Sequence, residues 1–129
     1  VSLPEEASAN FKELNTDFIL VLHGGFTMGD VALTFAESNF KLGFWSVPEP
    51  TLTGDVQLNN FVSLNMSMSI AKKVRNTSKN PVSWYYGFAD NKEFKQKITL
   101  TLRTLQSLKT LSRSRIGLIG GLAMTFYNM

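Results

Sequence analysis

His23 is the only histidine in this 129-residue chain, and it stands between the apolar run FILVL and the pair Gly24-Gly25. An imidazole beside a flexible turn can act as a general base or contact a ligand, and it can equally cap a strand or bond to its own turn. Asp30 and Glu49 lie in neighbouring loops, at spacings that match no metal-ligand pattern. Glu49 sits between Pro48 and Pro50, so its carboxylate is held in a stiff loop. Such a group can accept hydrogen bonds from sugar hydroxyls, cap a helix or pair with a cation. Further on, Gly120-Gly121 precedes Met124, Phe126 and Tyr127, an apolar cluster able to line a small-molecule pocket or to pack on another domain.

Several chemistries find no support. Cysteine is absent, which removes disulfides, thiolate metal sites and cysteine nucleophiles. There is no Walker pattern, no G-x-G-x-x-G and no G-x-S-x-G elbow. Net charge is +3, with Lys and Arg scattered rather than blocked, so neither nucleic acid nor a membrane surface is an expected partner. No apolar run reaches membrane-spanning length. The absence of cysteine suits a cytoplasmic setting, which is the expected location.

The elements that position these residues follow from periodicity. Residues 2–15 read as a helix, with Pro4, Glu5 and Glu6 in its first turn and Ala7, Phe11 and Leu14 as its apolar stripe. FILVL, residues 18–22, shows no alternation and reads as a central parallel strand buried on both faces. Residues 30–38 read as a short helix, 41–47 as a second strand ended by Pro48-Glu49-Pro50, and 81–86 as a third strand. Residues 90–111 make the strongest helix, with Asp90 as N-cap and Phe94, Ile98, Leu102, Leu105, Leu108 and Leu111 on one face. RIGLI, residues 115–119, reads as a fourth strand. In the stretch 58–75, Val62, Leu64, Met66, Met68 and Ile70 alternate with Ser63, Asn65, Ser67 and Ser69, which taken alone indicates a strand. The Met, Leu and Ala content and the terminal Lys72, Lys73 and Arg75 favour a helix, and a helix is expected. Those three cations, with Arg113 and Arg115, read as solvated charges.

Alternating helices and strands predict an α/β protein: a three-layer, Rossmann-like parallel sheet with helices on both faces. The sheet reads as incomplete. RIGLIGG lacks a following helix and Val1 is no initiator Met, so the chain is expected to be a piece of a larger protein. Ligands in such sheets sit beyond the carboxyl ends of the strands. That rule selects the loops 23–29, 47–57, 87–91 and 120–129.

GFWSVPEP at 43–50, QLNNFVSLNMSMSIAKKV at 57–74, VSWYYG at 82–87 and TLSRSRIGLIGGLAMTFYN at 110–128 together resemble one family. They are similar to the N-terminal region of the L-fucose isomerase and L-arabinose isomerase superfamily, and most similar to its fucose-isomerase-like branch. The resemblance spans Asp17 to the end. It implies that residues 1–112 are the later part of a first α/β domain with its linking helix. Residues 113–129 would then be the first strand and loop of a second. It also implies that 58–75 is a helix.

Family members interconvert aldoses and ketoses with a divalent metal, usually Mn2+, held by Glu, Asp and His of the later domains. The metal polarises the sugar while carboxylates move a proton through an enediol. Those segments are absent here, and His23 does not match the metal histidine, so the chain alone is expected to bind no Mn2+ and to be inactive. What carries over is a set of substrate-rim candidates: His23, Gly24, Gly25, Glu49, Met124 and Phe126. An aldose or ketose is the implied small-molecule partner, and a homo-oligomer is the implied state of the whole protein. The alternative reading is a free-standing α/β module for sugar binding or subunit assembly.

Overall fold

The computed structural model describes residues 4–51, 53–54, 58–75, 80–117 and 120, without the side chains at 8 and 10–12. Its elements run α1 (Pro4–Glu13), β1 (Phe18–His23), α2 (Gly29–Glu37), β2 (Lys41–Ser46), α3 (Asn60–Val74), β3 (Val82–Tyr86) and α4 (Lys92–Arg113). The strands form one parallel sheet in the order β1-β2-β3. This is the α/β architecture expected from the alternation, with helices on both faces.

Register assigns the two faces. Ile19 and Val21 of β1 lie beside Leu42 and Phe44 of β2, and Leu42 lies beside Val82 of β3. These residues pack under α1, α2 and α3, in a core completed by Ala7, Val31, Phe35, Ala36, Leu64 and Ala71. The opposite face carries Phe18, Leu20, Gly43 and Tyr85. A Cβ on Gly43 would lie 2.8 Å from Phe18 Cζ, 3.0 Å from Tyr85 Cε2 and 3.1 Å from Leu20 Cδ1. A bare position in the middle strand therefore lets these side chains close over it. At the end of β3, Gly87 adopts φ +134°, a conformation side chains rarely take. Its carbonyl accepts from Trp45 Nε1 at 2.8 Å.

Four expectations need correction. β1 is not central: among the described residues it is an edge strand, Phe18–Val21 are half-buried and Leu22 is exposed. The cap of α4 is Asn91, not Asp90. Its side chain accepts from the amides of Glu93 and Phe94, because an Asx oxygen reaches the second and third amides beyond it. The α4 stripe covers the sheet only in part. Phe94 is buried, Ile98 and Leu105 are half-buried, and Leu102, Leu108 and Leu111 are exposed. Arg75 is not solvated. It is buried and donates to the carbonyls of Ala36, Ser38 and Phe40 at 2.8–3.0 Å, which ties the end of α2 to the start of β2.

The stretch expected to be helical despite its alternation is α3. Its buried face is Asn60, Ser63, Leu64, Ser67 and Ala71, at helical steps of three and four. Within the proposed fourth strand, residues 115–117 carry no regular structure and Ile116 is 90% exposed. Leu118 and Ile119 lie outside the described residues, as do Met124 and Phe126.

Candidate functional site

The three strands end side by side at His23, Ser46 and Tyr86. This carboxyl edge is where α/β sheets place ligands, and it gathers polar side chains from elements far apart in sequence. His23 is 2% exposed, and its ring stacks on Phe44 with centroids 5.7 Å apart. Its Nδ1 lies 3.0 Å from Ser63 Oγ on α3 and 3.4 Å from Thr27 Oγ1 in the next loop. Ser63 Oγ also accepts the Thr27 amide at 3.1 Å. One serine thus joins the end of β1, the following loop and α3. Burial lowers the His23 pKa below its ordinary value of 6.5, so the ring is neutral at pH 7.

Glu49 has a defined place. Its carboxylate accepts from the amides of Leu58 at 3.1 Å and Asn60 at 2.9 Å. It therefore supplies the negative charge that the first turn of α3 favours. α3 begins after Asn59, which sits at φ 55° and gives no side-chain cap. The carboxylate held by the two prolines replaces it. Asn60 is 1% exposed, and its Nδ2 donates to the Val47 carbonyl at 3.3 Å.

Gly24 and Gly25 form the rim beside His23. Neither takes a left-handed φ, and a Cβ at Gly24 would meet nothing within 4 Å. They leave bare backbone around the histidine rather than a strained turn. Phe26 and Met28 follow, both largely exposed. A groove of about 610 Å³ runs along β1, and His23, Thr27, Leu20 and Leu22 are among the residues that line it.

The structure thus brings His23 and Glu49 to the same edge, each tied to α3 but through different residues. Sequence reasoning missed Thr27, Asn60 and Ser63. Their signal lay in the serines of 58–75: once that stretch is helical, Asn60, Ser63 and Ser67 share a buried face. Among the described residues, no three His, Cys, Asp or Glu side chains converge. His23 Nδ1 faces hydroxyls and Glu49 faces amides, so this cluster does not fit a divalent metal.

No family model matches the chain, and no solved structure matches it. Two curated proteins do, the sulfoquinovose isomerases of Priestia aryabhattai and of Priestia megaterium. Each is 24% identical over 106 residues, covering 74% of this chain and 23% of the relative. The chain therefore spans less than a quarter of the length of these curated relatives. The likeness is to a sugar isomerase, and it does not single out the fucose-isomerase-like branch. No helix among the described residues is long and apolar enough to cross a membrane.

Proposed function

We propose that this chain is a segment of an aldose–ketose sugar isomerase that contributes an α/β sheet and substrate-rim loops. The observation that carries the reading is the match to sulfoquinovose isomerases over 74% of the chain. The sheet supports it, because its carboxyl edge presents bare glycines, an apolar rim and a groove to one side. In this reading His23, Gly24, Gly25 and Glu49 build the rim, with Glu49 acting through the first turn of α3. Met124 and Phe126 belong to the same rim by resemblance. Residues 1–112 belong to a first domain and 113–129 open a second. The substrate is an aldose or ketose of the sulfoquinovose, L-fucose or L-arabinose kind, and the whole protein is a cytoplasmic homo-oligomer.

In this reading manganese is held by other parts of the protein, and the segment alone is inactive. The test is deuterium exchange at C2 of the sugar in D2O. It is followed by NMR with the polypeptide purified from its source cells, with and without added Mn2+. Exchange into sulfoquinovose, L-fucose or L-arabinose is expected from that polypeptide and not from the 129-residue chain. A purified polypeptide that exchanges none of them would defeat the proposal.

A further inference from the structure

Two buried polar atoms at the strand ends have no hydrogen-bond partner among the described residues: His23 Nε2 and Asn60 Oδ1. The bonds around them fix what each one offers. Ser63 Oγ already accepts the Thr27 amide, and His23 Nδ1 faces two hydroxyls, Ser63 Oγ at 3.0 Å and Thr27 Oγ1 at 3.4 Å. With either hydroxyl donating to Nδ1, the single proton of the neutral imidazole sits on Nε2, and that is the tautomer taken for the site. Asn60 Nδ2 donates to the Val47 carbonyl, which orients the amide and leaves Oδ1 as a bare acceptor. The two residues belong to one neighbourhood. His23 lies beside Ser46 in the sheet, Asn60 bonds to the residue after Ser46, and Ser63, one turn along α3, touches the His23 ring.

Nearly all buried polar groups in folded proteins have a partner, so a buried donor and a buried acceptor on residues that share neighbours point to a group that is both. A carboxylate offers no hydrogen to Asn60, and an ammonium offers no lone pair to His23. A hydroxyl group offers both. We propose that His23 Nε2–H and Asn60 Oδ1 together bind one hydroxyl group, donated to by the imidazole and donating to the amide oxygen. Water and a sugar hydroxyl are its two sources. His23 and Thr27 also line the groove along β1. The sugar source rests on the isomerase reading; the water source does not.

His23 is the only histidine, so its ring nitrogens are read without assignment ambiguity. The experiment is long-range 1H–15N correlation on the 15N-labelled 129-residue chain near pH 7.5, with through-space transfer from the ring N–H. Expected are an Nε2–H tautomer and a cross-peak from that proton to water in sugar-free buffer. Added sulfoquinovose then distinguishes the sources. An unchanged water cross-peak assigns the hydroxyl to water. Its replacement by sugar cross-peaks, with a saturable 15N shift, assigns it to the sugar. An Nδ1–H tautomer, or an Nε2–H with no contact to either, would overturn the proposal. In Asn60→Leu with the backbone spectrum retained, the cross-peak should be lost; its persistence would remove Asn60 from the site. The wild-type spectrum decides the tautomer even where the variant does not fold.

Discussion

At the residue scale, the site is governed by which polar atoms are already spent. Glu49 is committed to two amides at the start of α3, that of Leu58 just before the helix and that of Asn60 in its first turn. Glu49→Ala should cost about 1 kcal/mol of stability, the usual loss for a helix cap, and urea unfolding measures it. Arg75 serves three carbonyls at once. Arg75→Ala leaves them without this partner and should cost about 3 kcal/mol. Lysine should recover only part of that, because it cannot present a guanidinium fork. His23 sets a pH dependence. Its folded pKa lies below 6.5 through burial, so the unfolded chain binds its proton first as pH falls. The His23 contribution to stability should be constant above about pH 7. It should decline as pH drops below about 6.5, and the decline should continue down to the lower, folded pKa. Urea midpoints across that range should slope less in His23→Gln; an identical slope would mean that His23 is not the titrating group.

At the element scale, α3 carries the sharpest contrast. Ser63 and Ser67 are both fully buried one turn apart, yet Ser63 is bonded to Thr27 and His23 while Ser67 Oγ has no partner among the described residues. Ser63→Ala should destabilise by about 1–2 kcal/mol. Ser67→Ala should be neutral or slightly stabilising, because it removes an unsatisfied hydroxyl and improves helix propensity. Thermal unfolding of the two variants separates them, and equal losses would contradict the assignment.

The same helix shows what could be read in the sequence. Helix and strand order were legible because FILVL and KLGFWSV are dense in apolar residues and bounded by Gly or Pro. The face of α3 was not, since its buried positions are mostly Asn and Ser, which a hydrophobicity pattern scores as exposed. Arg75 was hidden for the same reason: a lone cation looks solvated until the carbonyls around it are placed. His23 and Glu49 were legible as candidates from their positions beside glycines and prolines. Their partners on α3, 11 and 40 residues away, were not.

At the scale of the whole molecule, one face of the sheet is well covered and α4 covers the other only in part. Leu100, Leu102, Leu108 and Leu111 are each at least half exposed along α4, and Phe61, Trp84, Tyr86 and Phe88 are similarly exposed on or near β3. So much apolar surface favours association. The isolated chain should scatter light as more than a monomer at tens of micromolar, and lysine at Leu108 and Leu111 together should lower the apparent mass. A monodisperse wild-type monomer would contradict this. Such surface also suits the proposal that this chain is a segment of a longer sugar isomerase. The most direct measurement of that claim is immunodepletion, with an antibody to this segment applied to a lysate of the source cells. Sugar isomerase activity toward sulfoquinovose, L-fucose or L-arabinose should leave the lysate with the antibody and appear on the captured polypeptide. Activity that stays in the supernatant, with none on the captured protein, would contradict the account.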